Sequence, residues 1–212
     1  DKFQNSVVGA QRMMPWNSVT KIIDEAAKLG VPSMSFSWRG ESTMYKQKDD
    51  EGNTKDFADV LAYARKKGIL EITSLTHGQL IDEKLAEKIV MAEPSWISFS
   101  IDGLEPTYNK IRTPPNKVND KSYNAFEKVS NAIKLLDKFK KKYSKSRPSI
   151  RTNSIFPAIQ RDPESYRNYM ESIGVDFVTV NEIKDYRFHD LPDDRIQDEW
   201  ACQYPFQRLT VS

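Results

Sequence analysis

The stretch Trp96-Ile97-Ser98-Phe99-Ser100-Ile101-Asp102-Gly103 alternates apolar and polar residues, and Ser33-Met34-Ser35-Phe36-Ser37-Trp38 does the same. In a strand, alternate side chains point to opposite faces. Ile97, Phe99 and Ile101 therefore share one face, while Ser98, Ser100 and Asp102 share the other. A third segment fits the pattern, with Arg151 and Asn153 opposite Ile150 and Thr152. Parallel strands covered on both sides read instead as continuous apolar runs. Burying so many hydroxyls and charges without partners costs roughly 1–3 kcal/mol each. The pattern predicts a sheet with one apolar face and one polar face that lines a ligand-holding cavity.

Working outward, helices separate the strands. Asn17 or Ser18 is the expected cap of a helix carrying Val19, Ile22, Ile23, Ala26 and Leu29, which Gly30 ends. The strand 33–38 follows, and then a polar loop through Asp49, Asp50 and Gly52. Thr54 is read as the start of a second helix bearing Phe57, Val60, Leu61 and Ala64. The strand 70–76 leads to a helix capped by Asp82, with Leu85, Ile89 and Val90 inward. After the strand 96–102, an excursion through Pro114 and Pro115 reaches a helix with Phe126, Val129, Ile133, Leu136 and Phe139. The strand 149–156, a helix opening at Asp162-Pro163 and the strand 176–181 complete the series. Strands joined by single helices make right-handed parallel βαβ units. The expectation is a parallel α/β sheet, open or part of a barrel.

Composition narrows the function. With 32 basic and 30 acidic residues in 212, the net charge is +2 and the two signs are interspersed. That excludes the clustered basic face of a nucleic-acid binder. The run Lys138-Phe139-Lys140-Lys141-Lys142 reads as a solvated helix end, with cations favoured by the helix dipole. No apolar stretch is long enough to span a membrane. The single cysteine, Cys202, cannot form an internal disulfide, so a cytoplasmic location is the default expectation. Nor can one thiol hold an iron–sulfur cluster, which takes about four thiolates.

Several segments, in order, resemble the radical S-adenosylmethionine (SAM) superfamily, and within it the branch with a C-terminal SPASM extension. The helix 14–30 resembles the one after the family's three-cysteine loop. Trp38-Arg39-Gly40-Glu41-Ser42-Thr43 is similar to its Gly-Gly-Glu-Pro element, with Arg39 replacing the first glycine and Ser42 the proline. Glu71 to Gly78 resembles the strand ending in Thr-Asn-Gly. Ser98 to Gly103 with Tyr108-Asn109-Lys110-Ile111-Arg112 resembles the pattern Ser-x-Asp-Gly … Ile-Arg. Residues from Cys202 to Val211 resemble the opening of a SPASM extension.

The resemblance implies an α/β fold, a partial (β/α)6 TIM-like barrel of parallel strands missing its first strand and cluster loop. Residues 1–190 would be its core, and 191–212 a linker and the beginning of the SPASM-like extension. It implies a full-length enzyme that cleaves SAM at a [4Fe-4S] cluster, whose ligands lie outside this chain. The 5′-deoxyadenosyl radical formed abstracts hydrogen from a small-molecule or peptide substrate, with an electron donor such as flavodoxin or ferredoxin. This chain alone would be inactive. By the same resemblance Gly40 and Glu41 lie at the turn whose carbonyls bind the SAM ammonium. Ser100 and Arg112 would contact its carboxylate, and Asn153 the ribose or substrate, a reach shared by Thr76 and His77. Cys202 would be a ligand of an auxiliary [4Fe-4S] cluster in the full-length protein. The competing readings are a cysteine-poor, non-catalytic binding module on the same barrel and an aldolase-type barrel, the latter disfavoured because the predicted strands carry no lysine.

Overall fold

The apolar side of the alternating strands decides the architecture. The structure, a computed structural model, describes residues 13–37 and 40–181. Helix α1 (Trp16–Lys28) precedes β1 (Ser33–Ser35), a 3-10 turn (Ser42–Met44), β2 (Lys46–Lys48), β3 (Thr54–Asp56) and α2 (Phe57–Lys66). Then come β4 (Glu71–Thr76), α3 (Glu83–Ala92), β5 (Trp96–Ser100), α4 (Glu105–Arg112) and α5 (Ala125–Lys142). The last elements are β6 (Ser149–Ile155), the short α6 (Phe156–Ile159), α7 (Pro163–Ser172) and β7 (Phe177–Asn181).

Five strands form one sheet in the order β1-β4-β5-β6-β7, and every pairing in it is parallel. This is the expected α/β arrangement, matching part of a TIM-like barrel. The five strands contain no lysine, so they lack a Schiff-base residue for aldolase chemistry.

In register, Ile72, Ile97, Phe99 and Ile150 point to one side and are 0% exposed. Against them pack Ile23 of α1, Leu61 and Ala64 of α2, Ala86 and Ile89 of α3, Ile133 and Leu136 of α5, and Met170 of α7. Helix α5 supplies the longest apolar stripe, with Phe126, Val129, Ile133, Leu136 and Phe139 all buried at helical spacing.

Local chemistry sets several boundaries differently from the sequence reading. Thr54 does not start α2; it lies in β3, which pairs antiparallel with β2. The cap is Asp56, whose carboxylate accepts from Ala58 N and Asp59 N, while Asp59 accepts from Asp56 N in a capping box. Helix α1 begins at Trp16 after Pro15, without a side-chain cap, so neither Asn17 nor Ser18 plays that part. Asp82, by contrast, caps α3 through Leu85 N, and Asp162 caps α7 through Ser165 N, each as expected.

The basic run of α5 is not simply solvated. Lys138 pairs with Glu83 at 2.8 Å, Lys142 with Glu87 at 3.1 Å, Lys145 with Glu93 at 3.2 Å and Lys140 with Asp176 at 2.9 Å. Hydrogen bonds from Tyr143 and Lys142 hold the Glu87 carboxyl below its ordinary range. The Lys138 and Lys142 pairs are solvent-exposed and contribute little each, whereas the Lys140 side chain is only 11% exposed. Leu136→Ala should lower unfolding stability by about 2–5 kcal/mol in urea titrations. Lys138→Ala, breaking a pair whose members are 59% and 65% exposed, should change it by less than about 1 kcal/mol.

Candidate functional site

No described helix packs on the second face of the sheet, and it is the polar one. Ser35 lies beside Thr73, Ser98 beside Arg151, and Ser100 beside Asn153, which in turn adjoins Thr179. The serine-rich sides of the strands therefore share one surface, as their alternation predicts. Ser98 is buried to 9% exposure, while Ser100 and Asn153 are half-buried. The Asn153 side-chain oxygen accepts from Asn181. Among the described residues, the Ser98 and Ser100 hydroxyls and the Asn153 amide nitrogen have no hydrogen-bond partner. Donors and acceptors held in register but unpaired suit a polar ligand.

At the C-terminal ends of the strands the main organiser is Glu41. Its side chain is only 10% exposed. Oε1 accepts from Thr43 N at 3.1 Å, Thr43 Oγ1 at 2.6 Å and Thr76 Oγ1 at 2.5 Å. Oε2 accepts from His77 N at 2.9 Å. One carboxylate thus fastens the turn after β1 to the end of β4. Beside it Gly40 has φ of +78°, a conformation that disfavours other residues, with open space where a Cβ would sit. Ser42, in the place of the family's proline, donates to Phe36 O at 2.5 Å, and Ser74 donates to the same carbonyl at 3.0 Å.

Thr76 points to the helix side of the sheet, is 2% exposed and is committed to Glu41 and Gly78 N. It serves the turn and does not face the open surface. His77 accepts from Gln79 N at Nδ1, which leaves its proton on Nε2, 3.4 Å from Glu41 Oε2. Gly78 follows at φ +75°, where a Cβ would stand 2.6 Å from the Phe99 ring.

Arg112 closes the rim from α4, a helix that the sequence reading took for loop. Its Nε donates to Asp102 Oδ2 at 2.7 Å, and its Nη2 bonds the same oxygen. Asp102 is 5% exposed at its side chain, and its other oxygen accepts from Ile155 N at 3.3 Å. The helix is anchored at its middle and at its C-terminal end. Asn109 Oδ1 accepts from Phe126 N at 2.8 Å, and Gln79 Nε2 donates to Arg112 O at 3.1 Å. Tyr123 donates to Gln79 Oε1 at 2.7 Å. Burial pushes the hydroxyls of Tyr108 and Tyr166 up to about 12, so both remain protonated; Tyr166 donates to Ile101 O at 2.9 Å.

Of the residues singled out in the sequence, Gly40, Glu41, Ser100, Arg112 and Asn153 all lie in the segments at the C-terminal ends of the parallel strands. Trp38, Arg39, Cys202 and the boundary near residue 190 lie outside the described residues. Asp102, Thr43, Gln79 and Tyr123 support the rim without having been assigned roles from sequence. Asp102 stands ten residues before Arg112, a spacing that signals nothing until α4 folds back. No group of three or more His, Cys, Asp or Glu able to hold a metal occurs among the described residues. Among the described residues the face therefore supplies no ligand set for a cluster.

Glu41→Gln should test the clamp. The new amide nitrogen must face either the His77 N–H or the Thr43 and Thr76 donors, which leaves a buried donor unpaired. The expected loss is about 1–3 kcal/mol of stability, with faster hydrogen exchange at the His77 amide. Wild-type exchange at His77 would contradict this geometry.

Residues 3–138 match the family model described as the radical SAM superfamily. A stretch of 91 residues, 43% of this chain, is 37% identical to the Fe-coproporphyrin III synthase of Methanosarcina barkeri (strain Fusaro / DSM 804), covering 20% of that protein. Among solved structures, anSMEcpe with bound AdoMet matches 82% of this chain and 44% of its own, with a TM-score of 0.60 at 19% identity. The anSMEcpe complex with AdoMet and the Cp18Cys peptide matches 86% and 47%, with a TM-score of 0.61 at 18% identity. Streptococcus suis SuiB bound to S-adenosylmethionine matches 82% and 35%, with a TM-score of 0.53 at 18% identity. These structural likenesses show the fold, and the chain spans less than half the length of each of these proteins. With more than half of its sequence matched by the family model, the chain belongs to the radical SAM superfamily.

Proposed function

We propose that the open polar face holds SAM across the C-terminal ends of β1, β4, β5 and β6, within a longer enzyme that carries the cluster-binding cysteines. Membership of the family implies SAM and a [4Fe-4S] cluster as cofactors. Together these supply reductive cleavage of SAM and hydrogen abstraction from a substrate. The observation that carries the reading is the set of unpartnered polar atoms on Ser98, Ser100 and Asn153, side by side on the face left free by the helices.

The chain's own residues bind and orient. Asp102 takes the Nε and one Nη2 hydrogen of Arg112, which leaves the guanidinium's outer edge free. That edge suits the SAM carboxylate, since a planar fork pairs bidentately with a carboxylate. The Ser100 hydroxyl adds a donor beside it, and the Asn153 amide meets the ribose or substrate. The Gly40 turn presents backbone carbonyls to the SAM ammonium, with Glu41 fixing that turn rather than touching the ligand.

The same reading assigns this chain no SAM cleavage by itself, because Cys202 is its only thiol. It makes Cys202 an auxiliary-cluster ligand within a SPASM extension, and places the enzyme in the cytoplasm. No described helix is long and apolar enough to cross a membrane. The substrate is a peptide or small molecule, consistent with the peptide-bound anSMEcpe complex and with the porphyrin chemistry in the curated relative's name. The electron comes from a donor such as flavodoxin or ferredoxin. The lone cysteine also favours a second reading, a non-catalytic binding module on the same barrel.

The full-length protein, reconstituted with iron and sulfide, should form 5′-deoxyadenosine from SAM under reduction, whereas this chain alone should form none. In the full-length protein Arg112→Gln should weaken SAM binding by about tenfold or more in calorimetry, as expected for loss of charge-assisted hydrogen bonds. Unaltered affinity would remove Arg112 from the site. SAM binding without 5′-deoxyadenosine in a fully reconstituted protein would favour the module.

A further inference from the structure

One cation on the open face is used by nothing described so far. Arg151 lies at the middle of β6, two residues before Asn153 and on the same face. Its guanidinium sits 4.9 Å from the Trp96 ring centroid and 5.4 Å from that of Phe177. Trp96 belongs to β5 and Phe177 to β7, so the two rings flank the guanidinium from the strands on either side. Both distances lie within cation–π range.

No carboxylate pairs with Arg151 among the described residues. Its one polar contact is a long one, Nε to Ser149 Oγ at 3.5 Å. The acid on the same face, Glu71, is engaged elsewhere: Ser33 Oγ donates to it at 2.8 Å and Trp96 Nε1 at 3.4 Å. Trp96 is thereby held from one side by Glu71 while it flanks Arg151 on the other. The arrangement restrains a long, flexible side chain without spending its N–H groups. Stacking covers the faces of a guanidinium, whereas anions are bound through its edge.

We infer that Arg151 is an anion-binding site on the ligand face, taking a carboxylate or phosphate group of the substrate. The inference deepens the reading of the open face as the ligand face and rests on it. Arg151 stands two residues, about 7 Å along the strand, from Asn153 and on the side away from the C-terminal rim. A substrate held there by its anionic group extends towards Ser100 and Asn153.

The test is a titration of the ¹⁵N-labelled full chain with inorganic phosphate, and separately with succinate, at constant ionic strength. The Arg151 Nε–Hε resonance and the amides of β5 to β7 are followed. A saturable shift with either anion is expected, and the stronger of the two identifies the anion class. Arg151→Gln should abolish saturation. Arg151→Lys, which keeps the charge but loses the fork, and Trp96→Leu, which removes one wall, should each weaken binding at least about fivefold. A linear, non-saturating shift in the wild type, or wild-type affinity in both Arg151→Lys and Trp96→Leu, would overturn the site. SAM affinity measured on the same variants in the full-length protein separates the two readings. If anion binding is absent while SAM still binds, the anion site alone falls; if neither ligand binds, the ligand-face reading falls with it.

Discussion

The sheet is covered by helices on one side only among the described residues, and the rest of the molecule follows from that asymmetry. Ile72, Ile97, Phe99 and Ile150 are removed from water by the helices, and each such side chain contributes roughly 1.5–3 kcal/mol through burial. Their strand neighbours point the other way and meet no helix among the described residues. Polar residues there cost little, because they stay within reach of water or ligand. A stabilising layer and a binding layer are therefore built from the same strands, one residue apart.

The rim at the C-terminal ends of the strands obeys a different rule. Here buried carboxylates gather backbone and hydroxyl donors from segments distant in sequence. Glu41 collects Thr43, Thr76 and His77, and Asp102 collects Arg112 and the Ile155 amide. Polar oxygens held away from water need such hydrogen-bond partners. The consequence is that the segments after β1, β4, β5 and β6 are joined in one hydrogen-bonded framework. Arg112, the residue best suited to a ligand carboxylate, is oriented by an acid that itself faces inward. The Gln79 amide, between Tyr123 and the Arg112 carbonyl, ties α4 to the same framework.

The sequence was most legible where a period repeats. Serine alternation in the segments 33–37 and 96–100 predicted both the strands and their shared polar face, and helical stripes such as Phe126 to Phe139 predicted the packing face of α5. Short elements were less readable. The β2–β3 pair has three residues per strand, too few for a period, and its lysines and aspartates resemble a loop. Helix α4 is eight residues with one buried side chain, Tyr108, so no apolar stripe marks it. Family resemblance located Gly40, Glu41, Ser100, Arg112 and Asn153, but it did not reveal that Glu41 turns inward, because two of its four donors lie more than thirty residues away, at Thr76 and His77.

By itself, then, the sequence determined the parallel α/β order, the division of three strands into a wet and a dry side, and the family. Those depend on local periodicity and on motifs read along the chain. Tertiary structure alone decided which charges are paired and which are free. Neither the partner of Arg112 nor that of Arg151 is written in the sequence, yet one is bound to a buried aspartate while the other stands between two aromatic rings, with no acid paired to it among the described residues. The difference arises because a charge's partner is set by which strands and helices lie side by side, and the spacing of residues along the chain does not encode that.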